Sequence, residues 1–555
     1  MPRPGAGVLE GVFGLAVIAV RLILVSGRPL CPRLLPHDDL LFLQLASSIL
    51  ETGWLGPYHE LTLVKGPFLP LFLATSSWLG VPFLISQDLL YLLASAVMVL
   101  ALAPVVPSRT ARVVLFALCA LNPATLSRDP TVYGVGGAVL TRELLYAALT
   151  LLVIGGSIAL WTYRQRRGWV GLTWSLGLGA ALGALWFTRE EGVWIAPPLL
   201  FAGVATGWWV ARHVSPDTER AKAYVLLALP LAIWGAVLLL VATLNWSHYG
   251  VFATNELHTG PLRAAYGALT RVRHPEWAPN LPVPRAVRAR IYGVSPAFRE
   301  LQPGLEDASS GWLMYGCPTY PHTCGDLTGG WFFWAFREAV ARGGYHSTAQ
   351  DAAAYYRRLA AEIDAACASG RLDCDAPRAT LIDPIRWYHI QHLPRAMAAA
   401  FARTVQFSDV RISTEPCPPL DPAVARLYER VTHHEFPAPS RLLVGRDIEI
   451  SAGILALFQR AVPPLVVVAG LGYLVSLLAL VRFRESPLVV PSTLILLAVG
   501  VRFAVLSVAD VVSTVPYSPR YYQPLFALLL ILIGLNTYAV LQLGRKWIRM
   551  TRPER

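Results

Sequence analysis

Apolar runs long enough to cross a bilayer recur along this chain, and they constrain its fold more than any other feature. A spanning helix needs about 17 to 25 predominantly apolar residues. Such runs fall at 8–27, 85–105, 112–127, 140–161, 170–187, 192–211, 223–245, 454–481, 488–508 and 521–543. The chain therefore reads as a polytopic α-helical membrane protein with about 10 transmembrane helices. No small-residue cleavage site follows a short apolar core near the start, so the first run is expected to be a retained helix. Only 15% of the residues are charged, against 55% hydrophobic, whereas a soluble domain carries about 25% charged residues.

The longest interruption lies between 246 and 450, where no stretch is long and apolar enough to span. At roughly 200 residues this segment can bury its own core, since domains run about 50 to 250 residues. The expected organisation is an N-terminal membrane module (1–245), an α-rich soluble domain (246–450) inserted before the last three helices, and a C-terminal membrane module with a basic tail (451–555). The clearest helix of the insert begins at "STAQDAAAYYRRLAAEIDAAC". Ser347 and Gln350 there have capping-box spacing, Tyr356, Leu359, Ile363 and Cys367 recur on one face, and Gly370 offers a stop.

Positive charge orients the spans. "RQRR" at 164–167, the loop Arg212 to Lys222, "RFR" at 482–484 and the tail "RKWIRMTRPER" belong on the cytoplasmic side. The stretch Pro67 to Phe83 decides the parity. Broken by Pro67, Pro70 and Pro82, it reads as an interfacial or re-entrant helix of the first outer loop, 28–84, rather than a span. Both termini are then cytoplasmic, and the inserted domain is extracytoplasmic, on the outer side of the cell's inner (plasma) membrane. The net charge of +12 comes mainly from short loops beside apolar runs, so membrane lipids and not nucleic acid are the expected partners.

On this topology Cys119 falls in a span, while Cys31, Cys317, Cys324, Cys367, Cys374 and Cys417 lie in an oxidising compartment. Short loops favour Cys317 with Cys324 and Cys367 with Cys374, leaving Cys31 for Cys417. The competing reading is that some are free buried thiols. No spacing suggests zinc.

Charges at membrane depth are costly unless paired or wet, so their placement is informative. Here they gather on one face: His37, Asp38 and Asp39; Lys65; Arg128 and Asp129; Arg142 and Glu143; Arg189, Glu190 and Glu191; and Arg520. Each has a bland reading beside a functional one. Asp38 and Asp39 open a helical stretch and suit a helix N-terminus, one capping while the other points into a cavity. Lys65, just before a Gly-Pro break, either aims its ammonium at an anion or snorkels to headgroups. The two Thr-Arg-Glu triplets, with Arg142 and Glu143 and with Arg189 and Glu190, read equally as ion pairs or as site residues. Arg520 with Tyr521 also reads as an interfacial anchor. Arg337, Arg357, Arg358 and the aromatics of "GGWFFWAF" can line an acceptor groove, although packed core and solvated helix faces explain them better.

Jointly, the acidic pair of the first loop, a second acidic site in the next outer loop, the Arg-Tyr-x-x-Pro start of a late span at Arg520 and the large domain before the last helices resemble the GT-C superfamily of membrane glycosyltransferases. That superfamily includes protein O-mannosyltransferases and the aminoarabinose transferase of lipid A. The resemblance covers roughly 8–245 and 454–543. "YHELTLVKGPFLPLFLA" is similar to the family's His-Pro-Pro segment, with Lys65-Gly66-Pro67 where the family often has His. The resemblance implies a polyprenyl-phosphate sugar donor and direct displacement, with Asp38 or Asp39 as general base. Lys65, Arg189, Arg520 and Tyr521 would meet the departing phosphate, with His37, Arg142, Glu143 and Glu190 in support. The acceptor, whether glycan, lipid or protein, does not carry over.

No Gly-rich phosphate loop is present. Asp38, Asp39, Glu143 and His37 are suitable ligands for a divalent metal, but their spacing matches no metal motif, and the expectation is an enzyme without a cofactor. A transporter or lipid flippase is the competing function, and it would show charges spread through the membrane and internal duplication. A noncatalytic surface protein would not need ten spans for an anchor.

Overall fold

The computed structural model describes residues 6–26, 30–32, 34–127, 138–166, 168–274, 277–412, 419–436, 444–483, 487–513 and 518–551. Its first helices are α1 (Ala6–Ser26), α2 (Asp39–Thr52), α3 (Phe68–Trp78), α4 (Phe83–Leu102), α5 (Arg109–Ala120), α6 (Pro123–Ser127), α7 (Glu143–Thr162), α8 (Trp169–Trp186), α9 (Ala196–His213) and α10 (Asp217–Tyr249). A cap follows, with α11 (Gly260–Thr270), α12 (Arg285–Val294), α13 (Pro296–Glu300), α14 (Gln302–Leu305), α15 (Gly329–Arg342), α16 (Ala349–Ala368), α17 (Trp387–Gln406) and α18 (Pro422–Thr432). The chain then returns through α19 (Val444–Phe483), α20 (Val489–Ser513) and α21 (Pro519–Thr551).

Among the described residues, 8 helices are long and apolar enough to cross a membrane: α4, α7, α8, α9 with the short turn before it, α10, α19, α20 and α21. This is a helical membrane-embedded protein. The run at 8–27 is α1, a helix of 21 residues. The run at 112–127 divides into α5, of 12 residues, and α6, of 5 residues, because Pro123 cannot continue the helix before it. The proline-broken stretch forms α3, of 11 residues. At 1.5 Å per residue it reaches about 16 Å, roughly half of a hydrocarbon core.

Helix α7 is the axis of the bundle, buried at nearly every position from Glu143 to Ala159. Small residues allow its neighbours close approach. A Cβ on Gly155 would lie 3.2 Å from Met98 Cα in α4, and one on Gly156 would lie 3.0 Å from Leu178 Cβ in α8. A fully buried ion pair, Arg21 Nη2 to Asp88 Oδ1 at 2.6 Å, ties α1 to α4. Arg21 Nη1 also donates to Thr125 Oγ1 at 3.1 Å.

The cap holds a core of its own, assembled from Leu262 through Leu372. Its later helices belong elsewhere. Ala400, Val405 and Phe407, in and just after α17, join the membrane cluster, and Tyr428 and Val431 of α18 pack with Leu43, Leu69 and Phe83. Helix α16 buries Tyr356, Leu359 and Ile363. Its N-cap is Thr348 rather than Ser347, because the Thr348 hydroxyl accepts the Asp351 N–H at 3.1 Å, while Ser347 donates to the Asp351 carboxylate. Cys317 is bonded to Cys324 and Cys367 to Cys374. Cys31 is disulfide-bonded too, and its expected partner Cys417 lies outside the described residues, as do Arg128 and Asp129. Cys119 is a buried free thiol.

Candidate functional site

The loop carrying the two aspartates is fixed at its start. Leu30 and Cys31 pair in parallel with Ala138 and Val139, and the Tyr428 hydroxyl of α18 donates to the Leu30 carbonyl at 2.6 Å. Asp39, the first residue of α2, is fully buried. Its oxygens accept the N–H groups of Leu34 at 2.9 Å and Leu35 at 2.8 Å. Leu34 has φ 57°, a left-handed conformation that costs a non-glycine residue about 1–2 kcal/mol. Asp39 therefore holds the loop closed. Asp38 stands at the N-cap position but caps nothing with its side chain. Instead Oδ1 meets Lys65 Nζ at 3.0 Å and Oδ2 meets Arg520 Nη2 at 3.2 Å. Successive helix positions diverge by about 100°, so one carboxylate turns to the backbone and its neighbour to a charge network.

That network alternates in sign across four helices. Arg520 Nε reaches Glu143 Oε1 at 2.8 Å, and Arg189 Nη1 reaches the same oxygen at 2.9 Å. Arg189 Nε meets Glu191 at 2.6 Å, and Arg502 Nη2 meets Glu191 at 3.1 Å. Beside it Arg142 meets Glu190 at 2.8 Å and donates to the Thr188 carbonyl at 3.0 Å. The two Thr-Arg-Glu triplets thus exchange partners: the arginine opening α7 takes the glutamate after α8, and the arginine after α8 takes the glutamate opening α7. Tyr521 lies under the guanidinium groups of Arg189 at 4.8 Å and Arg520 at 5.2 Å. Among the described residues, the cluster has five cations (Lys65, Arg142, Arg189, Arg502 and Arg520) and four carboxylates (Asp38, Glu143, Glu190 and Glu191). One positive charge is in excess.

Lys65 owes its position to Gly66, where a Cβ would collide with the Phe187 carbonyl; the next N–H, of Phe68, donates to that same carbonyl at 3.3 Å. This close approach draws the lysine against the loop between α8 and α9. Its ammonium sits 4.9 Å from the Phe42 ring and 5.9 Å from the Trp334 ring. Burial pushes Lys65 down to about 8, against the opposing pull of Asp38. Glu191 moves the other way: the guanidinium groups of Arg189 and Arg502 outweigh the cost of burial and hold it down at about 2.

The cap closes over this end of the bundle. His37 sets its ring beside Trp334, with ring centres 4.7 Å apart and the planes tilted by 31°. Arg337 is buried in a clamp between loop and cap, meeting Glu256 at 2.6 Å; the Tyr58 hydroxyl donates to the same glutamate at 2.5 Å. Arg358 pairs with Glu300 at 2.6 Å on the cap surface, and Arg357 is exposed. Among the described residues, no three His, Cys, Asp or Glu side chains converge as a metal ligand set.

Below the charged cluster, α7, α8, α9 and α10 leave an open cleft of about 790 Å³, lined almost wholly by apolar side chains such as Leu182, Leu185, Leu199, Leu231 and Trp234. Trp186, Gly192 and Val193 line it too, which puts one end of the cleft beside Arg189 and Glu191. The sequence reading did not single out Arg502 or this cleft. A lone arginine inside an otherwise apolar span, "AVGVRFAVL", was the available signal for Arg502. No family model, curated protein or solved structure matches this chain.

Proposed function

We propose that this protein is a glycosyltransferase of the GT-C type that moves a sugar from a polyprenyl-phosphate donor to an acceptor hydroxyl. The observation that carries the reading is the junction of two unlike surfaces: a charge cluster with one cation in excess and, directly beneath it, an apolar cleft open to the lipid. A phosphate head with an isoprenoid tail needs both at once. The charge cluster lies at the opposite end of the bundle from the basic loops Arg164 to Arg166 and Arg212 to Lys222, which favours an extracytoplasmic site. With α1 and the α5 and α6 pair also crossing, the chain has ten spans and both termini in the cytoplasm of a cell bounded by this membrane.

In the reaction the acceptor oxygen attacks the anomeric carbon as the carbon–oxygen bond to phosphate breaks. The acceptor proton passes to the Asp38 carboxylate, and the bond electrons leave with polyprenyl phosphate. One displacement inverts the anomeric centre. Lys65 and Arg520 stabilise the charge gained by the leaving phosphate; a single preplaced donor of this kind contributes about 3 to 4 kcal/mol. At rest both cations are engaged by Asp38, at 3.0 and 3.2 Å. An arriving phosphate competes for them and frees the carboxylate to act as a base, so donor binding precedes acceptor activation. Glu143 positions Arg189 and Arg520, and Arg502 anchors the far end through Glu191. No step needs a metal or cofactor.

Binding of polyprenyl phosphate and of the parent polyprenol to the full chain in nanodiscs tests this reading. Phosphate should strengthen binding at least tenfold, and Lys65→Ala should remove most of that gain. Equal affinity for the two lipids would contradict it, and transbilayer movement of the lipid without release of sugar would favour a flippase.

A further inference from the structure

A run of aromatic rings leads from the loop of the proposed base to the surface of the cap. His37, next to Asp38 in the chain, has its ring centre 4.7 Å from Trp334 and 6.2 Å from Trp331. Trp331 stacks on Tyr315 at 4.8 Å, and Trp312 lies 6.0 Å from Trp331 and 5.3 Å from Tyr315. The three indoles are half-buried and Tyr315 is 52% exposed.

Core packing uses these rings only in part: Trp312 lies at the edge of the cap core and Trp334 against the cluster around Leu41, Trp54 and Val64, and both stay half-buried, while Trp331 and Tyr315 belong to neither cluster. Helix α15 sends Phe332 and Phe336 into the cap core, fully buried. Trp331 and Trp334, three residues apart, share another face of the helix and turn toward His37 and Tyr315. The rim of the wall is polar: Trp312 Nε1–H donates to Glu338 Oε2 at 2.7 Å, and Glu338 Oε1 pairs with Arg342 at 2.5 Å, which sets a carboxylate and a guanidinium side by side. Flat indole and phenol faces with a carboxylate at the edge match one ligand chemistry well. A sugar ring offers an apolar C–H face to stack and a girdle of hydroxyls that need acceptors at the rim. A lipid chain has no use for that rim, and the apolar cleft lies elsewhere. The wall is continuous with the reaction site, since Lys65 Nζ is 5.9 Å from the Trp334 ring and 3.0 Å from Asp38.

We infer that Trp312, Tyr315, Trp331 and Trp334, with Glu338, form a sugar-binding platform that holds an oligosaccharide acceptor with its reacting hydroxyl toward Asp38. The acceptor role rests on the transferase reading; the binding does not. The test presents hexasaccharides of mannan, galactan, arabinan and glucan to the full chain in nanodiscs and follows binding by tryptophan fluorescence and calorimetry. At least one should bind. Trp331→Ala and Tyr315→Ala should each weaken that binding about tenfold, while Trp331→Phe stays within threefold of wild type. Trp169→Ala, an 83% exposed tryptophan at the far end of α8, should change nothing. Wild type that binds none of the four, or Trp331→Ala and Tyr315→Ala binding as wild type does, would overturn the platform. Donor hydrolysis by water in the same preparations separates the two claims. Turnover without saccharide binding sinks the platform alone, and saccharide binding with undiminished transfer by Asp38→Asn sinks the assigned base alone.

Discussion

Two clusters in this molecule are built from the same side chains and behave differently. In the cap, Arg288 is fully buried, and all three of its nitrogens donate to structural partners. Nε and Nη2 take both oxygens of Glu306, at 2.7 and 3.0 Å, and Nη1 takes Asp326 at 2.5 Å and the Val283 carbonyl at 2.9 Å. Two carboxylates close one guanidinium. At the end of the membrane bundle the arrangement is an open chain: Asp38, Glu143 and Glu191 are each shared between two cations, Glu190 meets Arg142, and among the described residues the cations outnumber the carboxylates by one. Buried there without a hydrogen-bond partner are Arg502 Nε and Nη1 and Glu143 Oε2, as is Arg21 Nη2 in the pair between α1 and α4, whereas no buried side-chain atom of Arg288, Glu306 or Asp326 is left so. The number of ion pairs does not separate the two clusters. Unused valence does.

Substitutions should divide along that line. The largest effect is expected at the closed cluster. Arg288→Ala leaves Asp326 without its cation and Glu306 with only the more exposed Arg285 and the Tyr292 hydroxyl, and should cost about 3 kcal/mol of stability, read by denaturant melting, with turnover per folded molecule unchanged. In the open cluster Lys65→Ala should lower turnover roughly 10²–10³-fold while the melting curve shifts little. Asp39→Asn should behave like a member of the closed class although it adjoins Asp38. Losing two charge-assisted bonds to the Leu34 and Leu35 amides should cost about 1.5–3 kcal/mol, and kinetics on the remaining folded protein should match wild type. The smallest effect is a pH limb. The Lys65 ammonium is held down at about 8 in the folded protein, against about 10.4 when unfolded. Between those values the unfolded chain binds more protons, so this group makes stability rise with pH while affinity for a phosphate falls. Lys65→Arg should erase the loss of affinity above about pH 8, because arginine stays charged.

Much of the scaffold was legible because it depends on local pattern. Apolar length marked the 8 helices of spanning length but not the break at Pro123 that divides the run at 112–127, three prolines marked α3 as short, and seven-residue separations marked the two cap disulfides. The gathering of charge at one end followed from counting loops. Partner choice was not legible. That Arg142 takes Glu190 and Arg189 takes Glu143 depends on how α7 and α8 lie side by side, where Gly156 allows the close approach to Leu178. Asp38 and Asp39 could not be told apart because their directions hang on the turn at Leu34, whose left-handed backbone no propensity would assign to leucine. The cap was read as one domain, yet α17 and α18 pack on membrane helices, since their apolar faces have no signature that names the surface they cover.

The most direct measurement is release of labelled sugar from a polyprenyl-phosphate donor by the purified full chain, comparing wild type with Asp38→Asn. Loss of a general base predicts a fall of roughly 10²–10⁴-fold, with donor binding as tight as wild type or tighter, because the amide no longer competes with the phosphate for the charges of Lys65 and Arg520. An Asp38→Asn protein that turns over donor within twofold of wild type would contradict the assignment of this carboxylate and the chemistry built on it.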